Sequence, residues 1–330
     1  DLHLCDRRQR QMCIRDRQMV TQKGANTYVV GITGNFDDAQ TAVKKMFNDH
    51  EMAAELDQAG FQFSSANSIN IGRLVPQIVY YVYAYATLVR DGKIKDGQEI
   101  NVVVPTGNFG NILAAYYAKQ MGLPIHKLIC ASNENRVLYD FFRTGTYDRK
   151  RDFILTTSPS MDILISSNLE RLLYHVSGSS AKVAGWMADL AKTGMYTVDA
   201  ETLARIQASF ACGCADDTAG AAEINARFEQ DNYLCDTHTA VAFYVAGCHK
   251  REGVPMVVLS TASPFKFPRS VLTALGQSAP ENDFEAMQQL EAATAHPAPA
   301  SLAALRQKPE RFSTVIEPAQ IAEVALGYQE

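Results

Sequence analysis

Val102-Val-Val-Pro-Thr-Gly-Asn-Phe-Gly-Asn111 decides how this chain is read. Three β-branched apolar residues mark the end of a buried strand. Pro105 stops that strand, and Gly107 and Gly110 allow a tight backbone turn. Asn111 then opens Ile112-Leu-Ala-Ala-Tyr-Tyr-Ala-Lys119, a good helix former. A strand, a Gly/Asn loop and a helix start form a natural anion site, because free N–H groups and the positive helix end converge there. A phosphate suits it. By pattern alone, that phosphate belongs to a nucleotide, a cofactor or a phosphorylated substrate. The loop matches neither Gly-x-Gly-x-x-Gly nor a Walker loop.

The alternation continues on both sides. Asn26–Ile32 reads as a strand, Thr33–Asp38 as a turn and Ala39–Asn48 as a helix. Leu74–Val89 is sixteen almost wholly apolar residues, expected as a buried helix. Lys127–Ala131 and Met256–Leu259 read as strands, with Phe153–Leu155 a further candidate. Helices are expected at Glu134–Phe142, Ile163–Tyr174, Thr202–Cys212, Thr218–Gln230 and His238–Lys250. Strands spaced by helices imply an α/β fold, a parallel sheet with helices on both faces. Ligands of such sheets lie beyond the carboxyl ends of the strands. The segments after Val104 and after Leu259 both fall there.

Composition excludes several classes. The chain has 330 residues, 47% hydrophobic and 20% charged, with a net charge of −5. That balance argues against nucleic-acid binding, which calls for a basic face. No apolar run reaches the ~18 residues of a membrane helix, so no membrane partner is expected. Seven scattered cysteines fit reduced thiols and a cytoplasmic setting. Cys212, Cys214, Cys235 and Cys248, with His238 and His249, match no compact zinc spacing, so no metal is expected.

Three further stretches accompany the loop: Ser64-Ser-Ala-Asn-Ser-Ile-Asn-Ile-Gly-Arg73, Asp236-Thr-His-Thr-Ala-Val-Ala-Phe243 and Ser260-Thr-Ala-Ser-Pro-Phe-Lys-Phe267. With them the chain resembles threonine synthase of the longer bacterial and fungal type, from about Gln18 to about Leu275. The resemblance implies a fold type II pyridoxal 5'-phosphate (PLP) enzyme of the tryptophan synthase β kind. It implies conversion of O-phospho-L-homoserine and water to L-threonine and phosphate, by γ-elimination of phosphate and β-addition of water. Gly107, Asn108, Phe109, Gly110 and Asn111 would then cradle the cofactor phosphate, and Thr261 would meet the pyridine nitrogen. A helix N-cap is the competing role for Thr261. Ser65, Asn67, Ser68 and Arg73 would bind substrate, with the Arg73 guanidinium as a fork for its phosphate. A solvated first-turn residue is the other reading of Arg73. His238 sits at a helix start, where a capping or structural role competes with acid catalysis.

The sequence departs from the family pattern in places. Ser263 and Phe265 stand where the family has His and Ala, and Thr237 replaces a Pro. The family's Schiff-base lysine lies in a Phe-Lys-Asp-type segment, and this sequence has none. Lys266 lies in Phe-Lys-Phe, which the family carries besides the catalytic lysine; Lys23, Lys44 and Lys45 have no motif support. The expectation is an N-terminally truncated chain with no catalytic residue of its own and no turnover. Residues 1–17, basic and without apolar period, read as non-native; 18–60 as the remnant of an N-terminal region; 61–330 as a large PLP-binding α/β domain. The competing functions are an inactive PLP- or phosphate-binding homologue and another fold type II lyase, such as threonine dehydratase.

Overall fold

The computed structural model describes residues 13–33, 42–43, 45–64, 69–250 and 253–327. The strands among them are β1 (Gly31–Ile32), β2 (Ile100–Pro105), β3 (Ile125–Ser132), β4 (Thr146–Asp148), β5 (Met195–Thr197), β6 (Phe210–Cys214), β7 (Met256–Val258) and β8 (Val315–Ile316). The chain divides into two compact units, Asp1–Ser65 with Ser278–Glu330, and Ala66–Gln277. The expected 61–330 domain therefore loses its last fifty or so residues to the other unit.

The larger unit is built on a four-stranded sheet in the order β6-β3-β2-β7, parallel throughout. All six residues of β2 are buried. Because side chains alternate across a strand, Val102, Val104, Leu128 and Cys130 face one core with Ile112, Leu113, Phe141 and Leu172. Val103, Ile129 and Ala131 face a second core with Val241, Ala242 and Val245. A strand buried on both faces must be a continuous apolar run, and that is why Ile100–Val104 shows no polar alternation apart from Asn101. The side chain of Asn101 is satisfied there by the Lys127 N–H, 3.1 Å away.

The helix Thr237–Cys248 lies over β6 at close range. A Cβ on Gly213 would stand 2.6 Å from Val245 Cγ1, so only glycine admits this helix. β3 lies on one side of β2 and β7 on the other. Strand order thus reverses across β2 and β7, the place where open α/β sheets form a ligand crevice.

Several expected elements come out differently. Leu74–Val89 is not one buried helix. Pro76 sits in a 3-10 turn, Val75–Gln77, between helices Ile71–Leu74 and Ile78–Arg90. Tyr81 and Tyr85 are buried, but Val79 and Tyr83 are 62% and 67% exposed. Phe153–Leu155 is irregular, and Leu155 is exposed. The helix expected from Ile163 begins only at Leu169, and that expected to reach Cys212 ends at Ser209, where β6 follows directly. Much of the strand expected over Asn26–Ile32 reduces to β1. Residues 34–41 and 44 of the neighbouring turn and helix lie outside the described residues.

In the smaller unit β1 pairs with β8 in parallel. Its helix Ile14–Val20 buries Ile14 completely, and Arg17 Nε donates to the Leu305 carbonyl at 3.0 Å. The last four residues of the expected 1–17 segment thus form the start of a packed helix.

Candidate functional site

The loop after β2 is set by three constraints. Thr106 continues the strand by donating its N–H to Ala131 O at 2.8 Å, and its hydroxyl folds back onto Val104 O at 2.7 Å. Gly107 passes so close to the 160–161 backbone that a Cβ would meet Ser160 O at 2.7 Å and Met161 Cα at 3.2 Å. Phe109 then turns the chain with φ of 65°, a left-handed conformation uncommon for a bulky residue. Its ring is 1% exposed and lies 5.9 Å from the rings of both Phe142 and Phe210, so burial holds the turn in place.

The helix Gly110–Gln120 starts immediately, and its first turn leaves N–H groups without an intrahelical acceptor. Tyr81 reaches both oxygens of Asn111, the backbone O at 2.9 Å and Oδ1 at 2.5 Å. With Oδ1 taken by a phenol, Nδ2 is the end of Asn111 that remains for an acceptor. Burial pushes the Tyr81 hydroxyl well above its usual range, so it stays a donor.

The carbonyl side of the loop is held by the segment 166–168. Ser166 Oγ donates to Gly107 O at 2.8 Å. Asn168 donates to Asn108 O from Nδ2 at 2.9 Å and from its backbone N at 3.2 Å. Ser167 Oγ approaches Asn108 Oδ1 at 3.4 Å. These residues were hidden in the sequence by the helical reading of Ile163–Tyr174. The polar triplet Ser166-Ser-Asn168 just before Leu169-Glu-Arg171 was the available signal, since such triplets precede helices.

Thr261 lies beyond β7, adjacent to β2. Asn101, Val102 and Val103 pair with Met256, Val257 and Val258, and Leu259 N donates to Val103 O at 3.0 Å. The ladder ends at that bond, and Thr261 follows two residues later. Thr261 is exposed, and the cap of the following 3-10 turn is Ser263, whose Oγ accepts from Phe265 N. The capping role that competed for Thr261 therefore belongs to Ser263.

Behind Gly107, the 156–162 loop is fastened by a buried polar network. Asp162 Oδ1 accepts from Asn133 Nδ2 at 2.8 Å, Asn135 Nδ2 at 2.9 Å and Thr156 Oγ1 at 2.7 Å. His238 joins from the opposite side. Its Nε2 lies 3.2 Å from the Ser160 N–H, which only donates, so Nε2 is an acceptor. The proton then sits on Nδ1, which donates to Asp236 Oδ1 at 2.9 Å. The ring is 3% exposed and packs on Phe267. His238 clamps the Ser160 loop, with both ring nitrogens engaged.

Arg73 is exposed in the short helix Ile71–Leu74, whose N-cap Asn70 accepts from Gly72 N. Ser65, Asn67 and Ser68 lie outside the described residues. The 107–111 loop and the segment holding Thr261 thus follow two neighbouring parallel strands, β2 and β7.

The family described as "Threonine synthase, C-terminal" matches residues 239–325. The chain is 42% identical over 261 residues to human "Threonine synthase-like 1", a match covering 78% of this chain and 35% of that one. It is 35% identical over 309 residues to threonine synthase of Methylobacillus glycogenes, covering 90% and 58%. Among solved structures, PLP-bound threonine synthase from Brucella melitensis superposes with a TM-score of 0.80 at 39% identity, covering 95% of this chain and 62% of that one. The chain spans only about a third to three fifths of the length of these relatives.

Proposed function

We propose, from its likeness to the threonine synthases, that the chain is the PLP-binding part of a threonine synthase. The observation that supports this is that the 107–111 loop and the segment holding Thr261 follow the neighbouring strands β2 and β7, at the reversal of strand order. Gly107 to Asn111 would hold the cofactor phosphate through backbone N–H groups, with Asn111 Nδ2 beside them. The Thr261 hydroxyl would meet the pyridine nitrogen. A neutral hydroxyl there does not enforce a protonated ring as a carboxylate would. PLP supplies an electron sink for charge developing at substrate carbon.

The substrate is O-phospho-L-homoserine, whose phosphate ester bond breaks as water adds to give L-threonine, in a cytoplasmic setting. Ser65, Asn67, Ser68 and Arg73 are the residues proposed to receive it. No Phe-Lys-Asp segment occurs in the sequence, so the isolated chain would bind cofactor without turnover.

Two assays test it together. Titration with PLP, followed by absorbance, should saturate, and O-phospho-L-homoserine should release no phosphate in the presence of PLP. Phosphate release by the chain alone would sink the claim of inactivity, and failure to bind PLP would sink the cofactor reading. A second reading, a PLP- or phosphate-binding homologue without turnover even at full length, is favoured by the 42% identity to "Threonine synthase-like 1". Reading the gene upstream of the Gln18 codon separates the two. A continuous frame with a Phe-Lys-Asp-type segment supports the enzyme, and a native start there supports the binding protein.

A further inference from the structure

A peptide unit is planar and trans, so its C=O and N–H point in opposite directions. The Gly107 carbonyl shares a peptide unit with the Asn108 N–H, and the Asn108 carbonyl shares one with the Phe109 N–H. Ser166 Oγ holds the first carbonyl at 2.8 Å, and Asn168 holds the second at 2.9 Å and 3.2 Å. Fastening both carbonyls to the 166–168 segment turns both amides away from it, and the helix Gly110–Gln120, whose first N–H groups lack intrahelical acceptors, follows at once. We propose that Ser166 and Asn168 are positioning residues which aim the loop amides at the anion, and that Arg171 fixes the orientation of Asn168.

The role of Arg171 follows from donor chemistry. A guanidinium only donates. Arg171 Nη1 stands 2.5 Å from Asn168 Oδ1, so that end of the amide is the oxygen and the nitrogen faces Asn108 O. The other arm, Nη2, donates to Ile69 O. Ile69 directly follows the Ser65–Ser68 stretch proposed for substrate. One half-buried guanidinium therefore ties the flank of the substrate segment to the cofactor loop.

Two features show that Ser166 and Asn168 are built for this. Asn168 occupies the N-cap position of helix Leu169–Ser177, yet its side chain makes no cap hydrogen bond and goes to the loop instead. An Asn at that position ordinarily stabilises its own helix. Ser166 is placed by the buried Tyr147, whose hydroxyl accepts from Ser166 N at 2.8 Å and donates to Leu164 O at 3.1 Å. Ser166 is 7% exposed and Asn168 is fully buried, so neither geometry is a surface accident.

The inference rests on the cofactor reading above. Its test uses the full chain, inorganic phosphate and PLP as probes, and Ser166→Ala, Ser166→Thr, Asn168→Asp and Arg171→Met as variants. Dissociation constants come from equilibrium dialysis, the 31P chemical shift of bound phosphate from NMR, and the fold from circular dichroism and thermal melting. Ser166→Ala and Asn168→Asp should weaken both probes about 3- to 10-fold, the range of one neutral hydrogen bond, and move the 31P shift. Ser166→Thr, which keeps the hydroxyl, should restore affinity and shift, a rescue that a packing role alone does not give. Arg171→Met should behave as Asn168→Asp does. Unchanged affinity and shift in folded Ser166→Ala and Asn168→Asp would overturn the inference and leave the cofactor reading standing. An unchanged chain that binds neither probe would overturn both.

Discussion

Phe109 combines one cost and one compensation. A left-handed backbone at a residue with a Cβ is unfavourable by about 1–2 kcal/mol. Its ring, buried between Phe142 and Phe210, holds the turn against that strain. Phe109→Ala keeps the backbone strain and loses the ring, so it should destabilise the larger unit by about 3–5 kcal/mol in denaturant melts, and weaken PLP binding in the same protein. Gly107 carries the opposite lesson. Its constraint is the Ser160 carbonyl, 2.7 Å from where a Cβ would stand, and the Ser160 backbone, whose N–H donates to His238 Nε2, does not give way easily. Gly107→Ala should therefore displace the loop and reduce PLP affinity by at least 10-fold, measured by titration. His238→Phe leaves Asp236 and the Ser160 N–H short of a partner, at a cost of about 1–3 kcal/mol each, and its signature is a lower melting temperature. The loop itself was legible because glycines, a proline and a valine run each carry a local conformational meaning. Ser166 and Asn168 were not, because nothing in Ser166-Ser-Asn168 announces a partner sixty residues away.

At the scale of elements, the close approach of helix Thr237–Cys248 to β6 gives a sharp test. Gly213→Ala places a methyl 2.6 Å from Val245 Cγ1 and should cost about 1–3 kcal/mol as overpacking. Val245→Ala in the same chain should recover part of that loss, which a thermal-melt cycle of the two single variants and the double would show. The helix Ala200–Ser209 offers a pH-dependent case. Its N-cap Asp199 is held down to about 2, first by the Thr202 N–H and then by Lys182. A carboxylate depressed in the folded state stabilises at pH values above its ordinary range near 4, and that contribution fades as pH falls toward 2. The stability difference between the unchanged chain and Asp199→Ala should accordingly be full at neutral pH and shrink below about pH 4, followed by urea melts. The parallel strands were readable from Val102–Val104 and Lys127–Ala131, where burial on both faces writes continuous apolar runs. β6 was missed because Phe210-Ala-Cys-Gly-Cys214 follows a helix without a turn residue. The Leu74–Val89 run misled in the other direction, since apolar composition does not say which residues are covered, and Pro76 broke it.

The whole molecule reads as two units whose sequence segments interleave, which no composition shift near residue 60 or 278 announces. Its thiols are graded by burial. Desolvation pushes Cys130 up to about 12 and Cys212 to about 11, and Cys235 is raised to about 12, while Cys248 is exposed. Because the thiolate is the nucleophile, a brief iodoacetamide pulse at pH 8 should label Cys248 and spare Cys130, Cys212 and Cys235 until denaturant is added, as peptide mass mapping would report. Early labelling of Cys130 would mean that the β3 core opens. The central claim, however, is where the anion sits. The most direct measurement is a crystal structure of this chain grown with PLP. The phosphate is expected within hydrogen-bonding distance of the 108–111 amides, the ring nitrogen beside Thr261 Oγ1, and the Gly107 and Asn108 carbonyls still on Ser166 and Asn168. PLP ordered elsewhere, with those amides turned away or bonded within the protein, would contradict it.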